Sequence, residues 1–441
     1  MVVVEDKISV VGLGKLGQCL AIALGYKNFE TIGIDINQDV INSLNDDKET
    51  VSEPGLQDLL EKNSSNLDFT SDANAAIEQT DITMILVGTP SDREGWFSNE
   101  YVESSLQNLS EALKVSKKPY HLFVINSTVM PGSIDEVFIP LIERVSGRKL
   151  NEGFGICHCP ELVALGTVVQ NFLNPDFVII GQSDSKAGDI VKRVYTKFCD
   201  NSPEYSQMSL INAELTKVTL NFYLTTKISF ANHLSNLCER LPGADVDTVT
   251  NTLGYDSRIS PKFMKGGLSF GGTCFPRDTK AFRALYDKYL GPSPFVESID
   301  FVNEYQHDNL YRIVSENTNE NSKICILGLS FKPDTTVVVE SPSIELAKRL
   351  LKKKIKVAGF DPLASSTAAE AINNNDFTIY ENIDECISNC NVFVIATPWK
   401  NFMNMENLFP ANSLVIDCWR ILDELHLSND IKYIPLGKNL I

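Results

Sequence analysis

Short apolar runs alternate with longer amphipathic stretches over the first 200 residues of the chain. The runs are rich in Val, Ile and Phe, which favours buried β-strands, and the stretches after them have helical periodicity. The clearest runs cover residues 31–35, 82–88, 120–126 and 177–181. Strands that alternate with helices predict a doubly wound α/β domain with a parallel sheet over residues 1–200.

The pattern changes at residue 209 to one long helical period that continues to about residue 253 with almost no turn residues. A helix of this length without internal caps is typical of a spine or of a dimer surface. We therefore expect a central helical dimerisation domain over residues 201–305.

The last part of the chain, residues 306–441, returns to strand-like and helix-like segments in alternation. Apolar runs occur at residues 323–330, 356–361, 391–397 and 413–417, with a helix predicted at residues 343–354. This pattern predicts a second α/β sheet of the same class as the first. The cleft between the two sheets is the expected ligand site.

A glycine turn follows the first predicted strand. In Gly12-Leu13-Gly14-Lys15-Leu16-Gly17, the spacing GxGxxG stands between an apolar strand and a helix predicted from Leu16 to about Leu24. Gly12 provides the tight turn, Gly14 lets a pyrophosphate approach the backbone, and Gly17 permits close packing of helix on strand. The segment is therefore predicted to bind a dinucleotide.

An acidic residue, Asp35, ends the second predicted strand about 20 residues after this turn. A carboxylate at that place can accept hydrogen bonds from both ribose hydroxyls of an adenosine, and it would repel a 2′-phosphate. The predicted cofactor is NAD rather than NADP.

Composition narrows the range of partners. The formal net charge of −18 argues against nucleic acid or an anionic membrane as a general partner. No apolar run reaches the length of a membrane span, and Glu5 and Asp6 argue against a signal peptide. Ten cysteines without a repeated framework suit a reducing cytoplasm, and the trio Cys157-His158-Cys159 lacks a paired zinc spacing, so no metal is expected.

The segment Gly271-Gly272-Thr273-Cys274-Phe275-Pro276-Arg277-Asp278, here called the cysteine octet, places a thiol between a glycine pair and a predicted helix start. Pro276 suits a first helical turn, and the backbone N–H groups of a helix start, with Arg277 nearby, favour a thiolate. Cys274 is thus a candidate nucleophile, and a buried structural cysteine in an ordinary loop-to-helix turn is the alternative.

Many ordered motifs along nearly the whole chain resemble the UDP-glucose/GDP-mannose dehydrogenase family of nucleotide-sugar 6-dehydrogenases. Besides the glycine turn and the cysteine octet, they are Glu53-Pro-Gly-Leu56, Val87-Gly-Thr-Pro90, Ser127-Thr-Val-Met-Pro-Gly132, Pro160-Glu161, Gly166-Thr167, Asn174-Pro-Asp176, Ala213-Glu-Leu-Thr-Lys217 with Asn221, Lys227-Ile-Ser-Phe-Ala-Asn232, Asp256-Ser-Arg258, Gly328-Leu-Ser-Phe-Lys-Pro333 and Glu340-Ser-Pro342. The resemblance implies two Rossmann-like doubly wound parallel sheets joined by a long central helix and a helical middle domain. It also implies a homodimer built around that helix.

The resemblance further implies a four-electron, NAD-dependent oxidation of a sugar C6 alcohol to a carboxylate, which fits the need for a thiol that captures the aldehyde. Cys274 would be the nucleophile, and Lys217 and Asn221, one helical turn apart, would stabilise the oxyanion. Glu161 and Asp278 would orient or deprotonate the hydrolytic water, and Thr128 would help to hold it.

The family positions also imply two sets of binding residues. Those predicted to contact the cofactor are Gly12, Gly14, Leu16, Gly17, Asp35, Gly88, Thr89, Pro90, Thr128 and Arg277. Those predicted to contact the nucleotide sugar are Glu161, Leu162, Val163, Lys217, Asn221, Arg258, Phe263, Lys265, Phe270, Gly271, Lys332 and Arg420, with Arg258 reaching across the dimer. The domains implied are an NAD-binding domain (1–200), the central domain (201–305) and a nucleotide-sugar-binding domain (306–441).

The chain departs from the family pattern at several places. Leu165 stands where a glutamate is usual, Val339 where an arginine is usual, and Asp417-Cys418-Trp419 where Asp-Gly-Arg is usual, with Arg420 one residue further on. Arg277 replaces a usual lysine, which keeps the charge and changes its geometry.

Alternatives to this interpretation stay open at the level of sequence. UDP-glucose is the favoured substrate, with UDP-N-acetylhexosamines and GDP-mannose as alternatives. A two-electron hydroxy acid dehydrogenase, or a non-catalytic NAD-binding dimer, would not need the cysteine octet.

Overall fold

The computed structural model describes residues 7–164 and 166–440. The chain divides into two compact units, Met1–Thr219 and Leu220–Ile441. The boundary falls inside one long helix rather than at either end of the predicted middle domain. The division into three domains at residues 200 and 305 therefore stays a prediction.

The first unit is built on an eight-stranded sheet with the order β3-β2-β1-β4-β5-β6-β7-β8. Its strands are β1 (Lys7–Val11), β2 (Glu30–Ile34), β3 (Leu67–Thr70), β4 (Ile82–Ile85), β5 (His121–Ile125), β6 (Phe154–His158), β7 (Phe177–Gln182) and β8 (Glu204–Ser209). Its helices are α1 (Lys15–Tyr26), α2 (Gln38–Asn45), α3 (Leu56–Asn63), α4 (Ala73–Gln79), α5 (Glu100–Val115), α6 (Ile139–Ser146), α7 (Val168–Leu173) and α8 (Ser185–Phe198).

Helices cover both faces of this sheet, which explains why its central strands are apolar at nearly every position. Leu20 and Ile22 of α1 belong to the core on one face, and Leu106 and Leu113 of α5 belong to the core on the other. The doubly wound arrangement is confirmed. Neighbouring strands are parallel except β6 and β7, which are antiparallel, a feature that the sequence pattern did not indicate.

The second unit contains a six-stranded sheet, with the order β11-β10-β9-β12-β13-β14, in which all neighbouring strands are parallel. The strands are β9 (Ile324–Leu327), β10 (Val357–Phe360), β11 (Phe377–Ile379), β12 (Val392–Ile395), β13 (Leu414–Asp417) and β14 (Lys432–Pro435). The remaining helices are α9 (Leu210–Cys238), in which the unit boundary lies, α10 (Val246–Gly254), α11 (Phe275–Leu290), α12 (Pro294–Glu316), α13 (Pro342–Lys352), α14 (Ser365–Ile372) and α15 (Ile383–Asn389).

The prediction of one helix from residue 209 to residue 253 is wrong beyond Cys238. Helix α9 ends there, Gly243 has a left-handed φ of 75°, and a new helix, α10, begins at Val246. The Asp245 carboxylate caps α10 by accepting hydrogen bonds from the backbone N–H groups of Asp247 and Thr248. The apolar periodicity continues to about residue 253, but Pro242 and the Asp245 cap interrupt the helix.

Candidate active site

The glycine turn after β1 has the backbone geometry that its spacing predicts. Gly12 has a φ of 93°, in the left-handed region, and a Cβ on Gly17 would lie 1.7 Å from the Gly12 carbonyl oxygen. Nothing lies within 4 Å of a Cβ placed on Gly14. Gly12 and Gly17 are therefore required by the turn and by the packing of α1 on the sheet, whereas Gly14 leaves its backbone open to a ligand.

Asp35 stands directly after β2, beside this turn. Its Oδ2 accepts a hydrogen bond from the Leu13 N–H (2.6 Å) and its Oδ1 accepts one from the Asn37 N–H (2.9 Å). A cavity of about 320 Å³ is lined by Gly12, Gly14, Asp35 and Gly88. Four of the predicted cofactor residues thus share one cavity. Its other wall comes from α5, where sequence reasoning had singled out no residue: Tyr101, Ser104, Ser105 and Asn108.

Other predicted cofactor residues of the first unit follow the ends of β4 and β5. The Thr89 hydroxyl donates a hydrogen bond to the carbonyl oxygen of Thr128 (2.7 Å), which ties the two loops together. A Cβ on Gly88 would meet nothing within 4 Å, and Pro90 is exposed. Leu16 packs against the core under α1.

Glu161 is held by donors from three other segments of the chain. Its Oε1 accepts hydrogen bonds from Asn126 Nδ2 (2.7 Å) and from the Tyr195 hydroxyl (3.4 Å), and its backbone carbonyl oxygen accepts one from Lys217 Nζ (2.7 Å). Removal of the carboxylate from water raises the pKa of Glu161 to about 8, although Asn126, Lys217 and Tyr195 each favour the charged form. A carboxyl with that pKa can take up and release a proton near neutral pH.

Lys217 itself is 9% exposed, so it is not a solvated helix charge. Buried ammonium groups require acceptors, and the Glu161 carbonyl oxygen is one. Leu162 and Val163, the next two predicted substrate residues, lie partly buried in the loop that follows Glu161.

Two further motif carboxylates have a structural role that the sequence did not reveal. Glu53 accepts hydrogen bonds from the N–H groups of Val168 and Gly166, and Glu214 accepts them from Gly132 and Ile134. Burial raises the pKa of Glu214 to about 7, while the two N–H donors favour its carboxylate. Glu53 thus fixes the segment from Gly166 to Val168, and Glu214 fixes the segment from Gly132 to Ile134.

In the second unit, Asp278 connects two other predicted site residues. Its Oδ2 accepts a hydrogen bond from Asn221 Nδ2 (2.6 Å), and its Oδ1 accepts one from Arg277 Nε (3.1 Å). The Asp278 side chain is 1% exposed. Asn221, on α9, is thus oriented by the first turn of α11, the turn that follows the candidate nucleophile.

Cys274 is the N-cap residue of α11, as the position of Pro276 predicts. All ten cysteines of the chain are among the described residues and are free, and Cys274 alone is exposed. Exposure at a helix N-terminus is the environment of a reactive thiol, whereas the alternative of a buried inert cysteine does not fit.

The glycine pair of the cysteine octet is required by close contact with the segment that follows β9. A Cβ on Gly271 would lie 2.2 Å from the Glu340 carbonyl oxygen, and one on Gly272, at φ 85°, would lie 2.6 Å from the Phe331 ring. The Gly272 N–H donates a hydrogen bond to the Val339 carbonyl oxygen (2.9 Å). The departure at Val339 therefore lies directly beside the octet, while the departure at Leu165 lies outside the described residues.

Three phenylalanines pack around the start of α11. The rings of Phe263 and Phe270 both meet the Phe275 ring edge-on, with centroid distances of 6.1 and 6.5 Å. Phe263 has a φ of 63° and is 45% exposed, and Lys265, two residues further on, is exposed. Predicted substrate residues from one stretch of sequence thus lie next to the cysteine octet.

Two other predicted substrate cations lie on the surface of the second unit. Arg258 forms a two-pronged ion pair with Asp256, with an Nη2–Oδ2 distance of 2.6 Å, and remains 85% exposed. Lys332 is partly buried, with its Nζ 5.8 Å from the centroid of the Phe331 ring.

The predicted substrate residue Arg420 has a largely buried side chain and forms hydrogen bonds within the second unit. Its side chain is 6% exposed, and its guanidinium donates hydrogen bonds to both carboxylate oxygens of Asp247 (2.8 Å each) and to the Gly266 carbonyl oxygen (2.7 Å). Arg420 follows β13, so these hydrogen bonds link the loop after that strand to α10 and to the backbone of Gly266. Trp419 donates from Nε1 to the Ala396 carbonyl oxygen (2.8 Å), so Trp419 and Arg420 both stabilise the loop after β13.

The second sheet has a glycine turn after its first strand, as the first sheet has, but the aspartate after its second strand makes different contacts. Gly328, after β9, has a φ of 91°, as Gly12 has after β1. Asp361, after β10, accepts hydrogen bonds from Leu329, Ser330 and Trp399 through one oxygen and from Leu363 and Ala364 through the other. Asp361 is 2% exposed and surrounded by these donors, which leaves no room for a ribose, whereas Asp35 has two backbone donors and is only partly buried.

The trio at Cys157-His158-Cys159 lies at the end of β6 and is buried. Burial raises the pKa of both thiols and lowers that of His158 to about 4, so all three side chains are neutral. Within residues 7–164 and 166–440, no group of three or more His, Cys, Asp and Glu side chains is arranged to hold a metal ion. In the same part of the chain no helix is both long and apolar enough to cross a membrane.

A dinucleotide cavity at the glycine turn, together with an exposed thiol at a helix start, defines the class as an NAD-binding oxidoreductase. Three family models match the chain: the NAD binding domain (residues 6–199), the central domain (residues 211–305) and the UDP binding domain (residues 325–424) of the UDP-glucose/GDP-mannose dehydrogenase family. The chain belongs to this family of nucleotide-sugar dehydrogenases, and its cofactor is NAD.

Similar proteins differ in the sugar nucleotide that their names give. The UDP-glucose 6-dehydrogenase AglM of Haloferax volcanii is 30% identical over 94% of this chain and 97% of its own length. The GDP-mannose 6-dehydrogenase of Pseudomonas putida is 31% identical over 93% of this chain and 95% of its own length. The solved UDP-glucose dehydrogenase of Pyrobaculum islandicum superposes with a TM-score of 0.87 at 29% identity, and each chain covers 98% of the other.

Replacement of Asp35 by alanine should weaken the preference for NAD over NADP. The variant loses the acceptor for the ribose hydroxyls and the charge that repels a 2′-phosphate, so we expect kcat/KM with NAD to fall about tenfold or more. The ratio of kcat/KM with NAD to that with NADP measures the effect. Asp68→Ala, at an exposed position of the adjacent strand β3, is the control. Comparable efficiency of the unaltered protein with both cofactors would refute the role of Asp35.

Asn126 is predicted to be a positioning residue. Its hydrogen bond to Glu161 should affect the pH at which the Glu161 carboxyl loses its proton. The pKa of Glu161 is raised to about 8 and the Asn126 hydrogen bond lowers it, so loss of that bond raises it further. If the Glu161 carboxylate is the active form, turnover should rise with pH through about 8, and Asn126→Ala should move this rise to higher pH.

The pH profile of kcat measures this shift. Tyr195→Phe, which removes a longer bond to the same oxygen, should shift the profile less, and Asn74→Ala, at an exposed position of α4, should leave it unchanged. A profile that is the same in Asn126→Ala and in the unaltered protein would show that Glu161 does not limit turnover.

Proposed function

We propose that the protein oxidises the C6 hydroxyl of UDP-glucose to the carboxylate of UDP-glucuronate in two successive NAD-dependent steps. The observation that carries this proposal is Cys274, an exposed thiol at the start of α11 in a chain whose other cysteines are buried. A dehydrogenase that stops at the aldehyde, or a hydroxy acid dehydrogenase, has no use for such a thiol.

The first step removes a hydride and a proton from the alcohol. Bound NAD accepts the hydride in each of the two oxidations. Lys217 and Asn221, one turn apart on α9, stabilise the negative charge that develops on the substrate oxygen. Asn221 is suited to this because Asp278 accepts one of its amide hydrogens and fixes the orientation of the group.

Cys274 then captures the aldehyde before it can leave. The thiolate sulfur adds to the carbonyl carbon and gives a thiohemiacetal, and departure of the second hydride leaves a thioester. The thiol is exposed at the start of α11, so its sulfur is accessible to this aldehyde.

Hydrolysis of the thioester completes the reaction. Water adds to the thioester carbon, the carbon–sulfur bond breaks, and the products are the carboxylate and the free thiol. Glu161 takes the proton from this water, which its pKa of about 8 permits, while Thr128 helps to hold the water and Asp278 supports Asn221. For each sugar nucleotide the balance is one water consumed and two NADH formed.

The substrate contacts are proposed from the residues that surround these groups. Phe263, Phe270 and Gly271 lie next to the octet, and Lys265, Arg258 and Lys332 supply positive charge that offsets the acidic chain at the phosphates. Leu162 and Val163 follow Glu161 in the same loop. We leave Arg420 out of this set because its guanidinium is taken up by Asp247 and Gly266.

A homodimer through α9 is part of the proposal. Tyr223, Phe230 and Leu237 recur at intervals of seven residues on this helix and are 60, 52 and 51% exposed. A stripe of large apolar side chains at that spacing suits association with a second copy. The ten free cysteines also favour a reducing compartment such as the cytoplasm.

Measurement of NADH formation over a panel of nucleotide sugars tests the substrate. We expect UDP-glucose to give the highest kcat/KM, above UDP-N-acetylhexosamines and GDP-mannose, and to give two NADH for each molecule consumed. GDP-mannose is the second candidate because the Pseudomonas putida relative is as similar to this chain as the Haloferax volcanii relative. A preference for GDP-mannose would overturn the sugar assignment alone, whereas one NADH per sugar would overturn the mechanism.

A further inference from the structure

A second cleft, of about 790 Å³, lies at the edge of the second sheet where its strands begin. Lys323 directly precedes β9, Lys356 directly precedes β10, and both line it together with Lys354, Tyr380 and Cys390. Nucleotides bind at the opposite edge of such sheets, outside the carboxyl ends of the strands. The cleft at the amino edge is therefore separate from the site proposed above.

The charge of this cleft contrasts with that of the whole chain. Lys323, Lys354 and Lys356 are all exposed, and none of them forms an ion pair with any residue that the structure describes. Glu320 is the one acidic residue among the described residues that line the cleft with them, so three ammonium groups face a single carboxylate there. In a chain with a net charge of −18, this local excess of positive charge makes a site for an anion.

The same cleft contains a thiol in an unusual environment. Cys390 follows α15 and is 8% exposed, and behind it Cys325 of β9 and Cys386 of α15 are fully buried. The Cys325 thiol and the Tyr380 hydroxyl lie near the Cys390 sulfur, and Lys323 adds positive charge. Together these lower the pKa of Cys390 against the effect of burial. The thiolate is the nucleophilic form of cysteine.

We propose that Cys390 is a thiol-modification site that reacts with small anionic disulfides bound by the lysines of this cleft. The Cys390 sulfur attacks one sulfur of the disulfide, a new S–S bond forms to Cys390, and the original S–S bond breaks. The second half leaves as a thiolate and takes a proton from solvent. The small disulfide is the oxidant, so the exchange needs no other reagent.

Cys199 provides an internal comparison for this reaction. It is also 8% exposed, but burial raises its pKa to about 11. If exposure alone determined reactivity, Cys390 and Cys199 would react at equal rates. The lowered pKa of Cys390 and the lysines around it predict that Cys390 reacts much faster. Cys274, which is exposed, is expected to react as well and is resolved as a separate peptide.

The native, full-length protein is treated with oxidised glutathione, which carries carboxylates, or with cystamine, which is cationic. Mixed disulfides at each cysteine are then followed by peptide mass spectrometry. We expect Cys390 to be modified by oxidised glutathione about tenfold or more faster than Cys199, and faster than by cystamine. Equal rates at Cys390 and Cys199, or no modification of Cys390, would overturn the proposal.

A pair of double variants tests the lysines. Lys354→Gln with Lys356→Gln should reduce the preference of Cys390 for oxidised glutathione over cystamine about threefold or more. Lys352→Gln with Lys353→Gln makes the same change of charge in the same run of lysines, at residues that do not line the cleft, and should have little effect. Equal effects of the two double variants would show that the cleft does not select the anion.

Discussion

Replacement of Cys274 by serine should lower turnover by a factor of about a thousand or more while leaving the binding of the sugar nucleotide nearly unchanged. Serine keeps the size and the hydrogen-bonding capacity of the side chain, but its hydroxyl is a far weaker nucleophile at neutral pH. The aldehyde would then have no thiol to capture it, and no thioester could form.

Two measurements together check this expectation. NADH formation gives kcat, and calorimetric titration with the sugar nucleotide gives Kd, which we expect to change by less than about threefold. Lys288→Ala, at an exposed position in the last turn of the same helix, is the control for effects on α11 as a whole. Full activity of Cys274→Ser would exclude the covalent mechanism.

Replacement of Glu161 by glutamine should instead separate the two halves of the reaction. Glutamine retains an oxygen that can accept the hydrogen bond from Asn126, so the loop should keep its position. Thioester formation should continue, but hydrolysis should slow about a hundredfold or more because no base remains to take the proton of water. A rapid burst of NADH followed by slow turnover is the expected time course.

Stopped-flow absorbance measures the burst, and Glu152→Gln, at an exposed position in the same unit, should show steady-state behaviour like the unaltered protein. Slow turnover without a burst would assign Glu161 to an earlier step. Asp278 would then be the leading candidate for the hydrolytic carboxylate.

The parts of the fold that the sequence predicted are those with a local signal. The strand runs and the glycine turn depend on apolar periodicity and on the backbone of Gly12, which neighbouring residues determine. The end of α9 at Cys238 was missed because the apolar pattern continues past it. Pro242 and the Asp245 cap, which are local signals, could have revealed it.

The parts of the site that the sequence did not predict depend on contacts between distant residues. Asn126, directly after β5, and Tyr195, on α8, both reach the Glu161 carboxylate, and no spacing in the sequence indicates that they meet. Arg420 is the opposite case. It lies one residue after the position where the family has an arginine, but its guanidinium binds Asp247, which is distant in the sequence. Side-chain partners of this kind follow from the tertiary packing alone.

The mass of the intact Glu161→Gln protein after mixing with NAD and the sugar nucleotide tests the covalent mechanism most directly. If the account is right, an adduct with the mass of the oxidised sugar nucleotide accumulates on Cys274, and neutral hydroxylamine, which cleaves thioesters, removes it. Peptide mapping locates the adduct. A burst of two NADH for each active site without any adduct on Cys274 would contradict the account.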